Sequence, residues 1–295
     1  MRKIRRNTVV PAIGVVIASF AAAAGVVGPA HATTAENYVA LGDSFSAGQG
    51  SQSRYDNKCD RTDKSFPALW AQSHDPASFE SVACGGATAD NITSTAQDDR
   101  GVATPQIDAV TSATSLVTIT VGGNDVEFIP TLTTCALAEL GSATTKPDCQ
   151  NAIENSKAII KGTKPLSDGS TLPQKLADTY RAIASKAARG ARILAIGYPE
   201  LFNVPRVKQL VSDPSRALMN EAAVELNTTI KSAAESAGVR YVDVRDNFVG
   251  HGAGPRSGND AWINDLNILA LPNSGHPNAA GYKNGYLPAM ENALG

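Results

Sequence analysis

Aromatic side chains are scarce, 5% of 295 residues. The chain therefore lacks the row of stacking platforms on which a single-stranded nucleic acid rests. Neither sign of charge dominates: 26 Lys and Arg stand against 28 Asp and Glu, a formal net charge of −2. A polyanionic partner such as nucleic acid has no basic surface to find. No two cysteines are spaced Cys-x-x-Cys, which removes the usual zinc and thioredoxin-like signatures. Past Val27 no apolar run is long enough to span a bilayer. No internal repeat or composition break marks a second domain. Histidine is rare as well, four in all, so few residues can serve as a general base near neutral pH.

What is present begins with a leader. Met1 to Arg6 is basic, Val9 to Val27 is apolar and small, and Ala30-His31-Ala32 fits an A-x-A cleavage site. These features predict a secretory signal peptide over 1–32 and one mature domain over 33–295, without stable membrane insertion. The mature length suits a single α/β domain with a full core. All four cysteines, Cys59, Cys84, Cys135 and Cys149, lie in the exported part, which favours two disulfides. Three pairings are possible. The expectation here is sequence neighbours, Cys59–Cys84 and Cys135–Cys149.

Apolar runs alternate with helical patterns, which predicts a parallel sheet built from βαβ units. Strands are expected at Tyr38–Leu41, Ser81–Cys84, Leu116–Val121, Arg192–Ile196 and Val239–Val244. Helices are expected from Ser65, from Leu172 to Ala187, and from Met219 to Ala237, with a last one after Asn278. Residues 131–171 show no strong strand and read as irregular helices and loops.

Three of these strands end in glycine followed by polar residues: Gly42-Asp43-Ser44, Gly85-Gly86 and Gly122-Gly123-Asn124-Asp125. In open α/β sheets ligands bind beyond the carboxyl ends of the strands. The plain reading of Gly42-Asp43-Ser44 alone is a helix cap, since Asp and Ser are both good N-caps. A serine hydroxyl becomes a nucleophile only with a base to take its proton and donors to receive negative charge. Of the histidines beyond the leader, His74 and His251 sit in loop-like polar contexts. His276, in Gly275-His276-Pro277-Asn278 beside a helix cap, is the expected base.

Taken in order, Gly42-Asp43-Ser44-Phe45-Ser46, Cys84-Gly85-Gly86-Ala87, Gly122-Gly123-Asn124-Asp125 and His276-Pro277-Asn278 resemble the blocks of the SGNH, or GDSL, hydrolase family. Secreted actinobacterial lipases and esterases are the nearest likeness, with Trp262-Ile263-Asn264 ahead of the histidine block. The resemblance implies a flavodoxin-like three-layer α/β/α sandwich and ester hydrolysis, with paired cysteines like those above and no metal or organic cofactor. It implies Ser44 as nucleophile and His276 as base, with the Ser44 amide, the Gly86 amide and the Asn124 side chain as oxyanion donors. The expected substrate is a small-molecule or lipid ester, and the expected protein is an extracellular monomer. A phospholipase or polysaccharide deacetylase would use the same site. An inactive binding protein on this fold is the alternative from another class. The sequence departs from the family twice. Gly254 stands where many relatives carry a cysteine of a third disulfide. Asn273 occupies the position, three residues before the base, where an aspartate is usual. The main-chain carbonyl of Asn273 is accordingly expected to orient His276, against a distant carboxylate from Asp260 or Asp265.

Overall fold

The computed structural model describes residues 35–295 except 54, 55, 57, 141–143, 204–210, 255–259 and 268–270; the expected leader at 1–32 lies outside the described residues. Five strands, β1 (Asn37–Gly42), β2 (Ser78–Ser81), β3 (Leu116–Thr120), β4 (Arg192–Ile196) and β5 (Arg240–Val242), pair in the order β2-β1-β3-β4-β5. Every pairing is parallel. β3 is buried along its whole length, as a β-branched run between helices should be. Its buried hydroxyls are paired, Thr118 with the Tyr38 phenol at 2.7 Å and Thr120 with Ser46 at 2.9 Å.

Helices cover both faces. α2 (Phe66–His74) packs against α8 (Leu287–Leu294) on one side of the sheet. α5 (Pro147–Ile160), α6 (Leu172–Lys186) and α7 (Asp213–Ser236) pack together on the other. The result is the three-layer sandwich. The chain passes from β1 outward to β2, then crosses to β3 on the opposite side of β1. The order reverses between β1 and β3, and α1 (Ser44–Ala47) begins at that crevice. Such a switch point is where doubly wound sheets place ligands.

Several boundaries differ from the sequence reading. The second strand is Ser78–Ser81, earlier than Ser81–Cys84, because an edge strand needs only one apolar face. The expected residues do follow β1, through Val82 N–H to Ala40 C=O and Cys84 N–H to Gly42 C=O, both 2.9 Å. The stretch read as irregular helices and loops contains two regular helices, α4 (Phe128–Ala138) and α5. α4 is rich in Thr, a weak helix former, so packing rather than propensity decides it. The Cys135–Cys149 disulfide ties α4 to α5. α7 starts six residues before the expected Met219, because Pro214 fits its first turn rather than breaking it. Buried Glu139 accepts from the backbone N–H groups of Lys146 and Ser212, both at 2.9 Å, and so caps α5 and α7 together. The last strand is shorter than expected, Arg240–Val242. Both expected disulfides are formed.

Candidate active site

β1 stops because Gly42 turns it. Its φ is +127°, and a Cβ there would stand 2.5 Å from the Thr120 carbonyl oxygen, so no other residue fits. Asp43 then caps α1, and its buried carboxylate is fully engaged. Oδ1 accepts from Phe45 N–H at 3.0 Å and from the Thr120 hydroxyl at 2.6 Å, while Oδ2 accepts from the Tyr198 hydroxyl. The helix cap and the presented serine are thus one device, and the two readings of Gly-Asp-Ser do not compete. Burial pushes the Asp43 carboxyl up to about 6, against the pull of these hydrogen bonds. Tyr198 also accepts from Gly123 N–H at 3.2 Å, so one phenol joins the end of β1 to the end of β3.

His276 meets Ser44. Its Nε2 lies 2.7 Å from Ser44 Oγ, and its Nδ1 lies 3.1 Å from the Ser274 carbonyl oxygen. A carbonyl can only accept, so Nδ1 carries the proton and Nε2 is left as the acceptor facing the serine. The carbonyl at Nδ1 is therefore that of Ser274, not the expected one of Asn273. The reason is local: the Asn273 carbonyl accepts the His276 backbone N–H at 3.4 Å, closing a turn, while Gly275 at φ +71° swings the Ser274 carbonyl beneath the ring. Neither proposed carboxylate fills that place. The Asp260 carboxylate lies 3.4 Å from His251 Nδ1, and Asp265 is exposed and accepts from Leu266 N–H. His251 stacks on Trp262 and His74 on Trp70. Burial pushes the imidazole of His276 down to about 4, opposed by the Ser274 carbonyl and by the charge of Asp60.

His276 is held by a small knot of chain. Asn264 N–H donates to the His276 carbonyl at 2.9 Å, and its own carbonyl accepts from Gly275 N–H at 3.0 Å. Its side-chain amide donates to the Gly50 carbonyl at 3.0 Å, and the Gln49 side chain donates to the Pro272 carbonyl. The loop after α1 and the loop carrying His276 are thereby fixed to each other.

The donors of the proposed oxyanion site come from the ends of β1, β2 and β3. Gly86 has φ +83°, a conformation that glycine adopts at no steric cost. Its loop is braced by the Cys59–Cys84 disulfide, by Gly85 N–H to the Cys59 carbonyl at 3.0 Å, and by Gln97 Nε2 to the Gly85 carbonyl at 2.8 Å. Asn124 Nδ2 donates one proton to the Ala87 carbonyl at 2.8 Å, and among the described residues no protein acceptor takes the other. Asp125 accepts from Ala89 N–H at 3.1 Å and 3.2 Å, locking the same two loops, and burial pushes its carboxyl up to about 6. Among the described residues neither the Ser44 amide nor the Gly86 amide donates to a protein acceptor.

A cleft opens from Ser44, His276 and Asn124 across the β3–β4 side of the site, walled by Phe45, Phe128, Ile129, Pro199, Leu201 and Leu226. It can take a narrow apolar chain. The sequence reading missed this wall and missed Tyr198. The signal for Tyr198 was present, since β4 also ends in glycine and polar residues, Gly197-Tyr198-Pro199-Glu200. The rule drawn from three strands applies to the fourth.

Residues 40–283 match the GDSL-like lipase/acylhydrolase family. Lipase 1 of Streptomyces coelicolor is 35% identical over 266 residues, covering 90% of this chain and 89% of the relative. A lipase of Streptomyces rimosus is 35% identical over 281 residues, covering 94% and 93%. Among solved structures, phospholipase A1 from Streptomyces albidoflavus superposes with a TM-score of 0.75 at 33% identity, over 88% of this chain and 99% of that one. The extracellular lipase of S. rimosus superposes with a TM-score of 0.73 at 34% identity, over 87% and 98%. By the match over most of its length, the chain belongs to the GDSL-like lipase/acylhydrolase family.

Proposed function

We propose that this ester hydrolase cleaves acyl esters through an acyl-enzyme on Ser44, with His276 as base. The observation that carries the reading is the 2.7 Å bond from Ser44 Oγ to His276 Nε2, with the far side of the ring engaged by the Ser274 carbonyl. Ser44 Oγ attacks the acyl carbonyl carbon while His276 Nε2 takes its proton. The carbonyl oxygen becomes an anion and is received by the Ser44 amide, the Gly86 amide and the free proton of Asn124 Nδ2. The carbon–oxygen bond to the alcohol then breaks, and His276 returns the proton to the departing oxygen. Water repeats the sequence on the acyl-enzyme and releases the acid.

The apolar cleft beside Ser44 supports a fatty acyl chain over the acetyl group that a deacetylase removes. Export through the leader at 1–32 and action as an extracellular monomer belong to the same reading. Likeness to the extracellular lipase of S. rimosus supports the export. Among the described residues no helix is long and apolar enough to cross a membrane.

A serine-directed fluorophosphonate tests the nucleophile. It is expected to label Ser44 in the folded protein and nothing after denaturation. Ser44→Ala is expected to lose both label and turnover while melting near the wild type. Near wild-type hydrolysis by Ser44→Ala would remove the assignment.

A further inference from the structure

The two sides of Ser44 differ in kind. Toward β3 and β4 the wall is apolar. Toward β2 it is polar and charged, and it is built around the Gly85-Gly86 loop. Asp60, 5% exposed, lies under that loop. Arg100 Nη1 donates to Asp60 Oδ2 at 3.0 Å and to the Lys58 carbonyl at 3.1 Å. Two bonds from one nitrogen fix the guanidinium and turn Nη2 toward the glycines. Nη2 lies 3.6 Å from where a Cβ on Gly85 would stand and 4.0 Å from where one on Gly86 would. Among the described residues no acceptor takes its protons. The Arg100 side chain is 33% exposed, so the guanidinium is not sealed in the core.

The direction of an ester through the site follows, and it rests on the catalytic reading above. With the acyl chain in the cleft over β3 and β4 and the carbonyl oxygen at Gly86, the alcohol part must leave on the β2 side. It then passes Arg100. We propose that Arg100 Nη2 receives an anionic oxygen on the alcohol part of the substrate, the phosphodiester of a glycerophospholipid. This makes Arg100 a specificity-determining residue of the site. Buried Asp60 cancels much of the long-range charge, and exposed Asp98 and Asp99 on the same turn oppose it further. What Arg100 offers is therefore a fixed pair of donors at short range, the geometry that suits a phosphate oxygen, rather than a field that would gather any anion.

The test compares two substrates below their micellar concentrations, dihexanoyl phosphatidylcholine and the neutral dihexanoylglycerol. The readout is the ratio of their kcat/KM values in wild type, Arg100→Gln and Arg100→Lys. The ratio is expected to fall about tenfold to a hundredfold in Arg100→Gln, as for loss of a hydrogen bond to a charged group, and to recover in part in Arg100→Lys. A ratio within threefold of wild type overturns the proposal, including the case in which loop damage lowers both substrates together. A wild type that cleaves the neutral ester but not the phospholipid also overturns it, and leaves the serine esterase reading standing. A wild type that cleaves neither removes both.

Discussion

Lowering the pH interrogates the base most directly. Burial pushes the His276 imidazole down to about 4, well under its ordinary 6.5, and among the described residues no carboxylate stands on Nδ1 to lift it. In a full triad a carboxylate there favours the charged ring and raises the value. The kcat/KM of the wild type on a soluble short-chain ester is therefore expected to keep an acid limb with its midpoint close to 4. The gap between 6.5 and about 4 also bears on stability, by roughly 3 kcal/mol at 1.36 kcal/mol per pH unit. The unfolded chain takes this proton first as pH falls. The stability drawn from a neutral ring is whole above 6.5 and is lost on the way down to about 4. Asp43 and Asp125 act in the opposite sense. Their carboxyls are pushed from 3.8 to about 6, so the folded protein takes those protons first. Each costs the fold roughly 3 kcal/mol above that range, and the cost is relieved as pH falls toward 3.8. The opposing changes share one window, and the fold is expected to persist while the limb is measured. Asp43 could itself contribute a limb near 6, so the profile is repeated with Asp43→Asn, where the midpoint near 4 must remain. A midpoint at 6.5 or above in both proteins, with native near-ultraviolet circular dichroism, would refute the dyad and put a carboxylate behind His276.

Asn124→Ala is expected to lower kcat by roughly a hundredfold to a thousandfold with little change in KM, as for removal of one oxyanion donor; an early-melting variant whose folded fraction is fully active would show that Asn124 only holds the Ala87 turn. Tyr198→Phe keeps the ring in the cleft wall but strips a donor from Asp43 and an acceptor from Gly123. It should therefore reduce kcat rather than raise KM, and a tenfold rise in KM at unchanged kcat would count against that role. Replacing both Cys59 and Cys84 by Ser should lower the thermal midpoint, each disulfide contributing about 3 kcal/mol in the chain-entropy model, and also lower kcat through the loosened Gly86 loop. The same change at Cys135 and Cys149 should lower the midpoint while leaving kcat largely alone, and equal kcat losses in the two variants would undo the distinction.

The sheet and the side chains gathered at the candidate site were legible because each leaves a mark in residue type. A buried strand reads as Leu116-Val117-Thr118-Ile119-Thr120, and an abrupt turn at its edge reads as glycine. α4 was legible only as part of a stretch of irregular helices and loops, since threonine is a weak helix former and packing and the Cys135–Cys149 disulfide make the helix regular. The acceptor behind the proposed base was the harder case. Ser274 contributes a main-chain carbonyl, which any residue at that position would offer, so no side chain announces it. The Asn273 carbonyl expected there keeps the spacing of a side chain, and the carbonyl found at Nδ1 is one residue further on. A carboxylate reaches the ring from three residues away, whereas a carbonyl must be brought under the ring by the backbone. Gly275 does this at φ +71°, while Asn273 closes the turn on the His276 amide. The chemical demand on one side chain thus becomes a demand on the path of the loop. That path is held by Gly275, by Asn264 against Gly50 and by Gln49 against Pro272. The requirement that an aspartate would satisfy alone is distributed over those residues here, and the exact position of the carbonyl is set by their contacts rather than by any one of them.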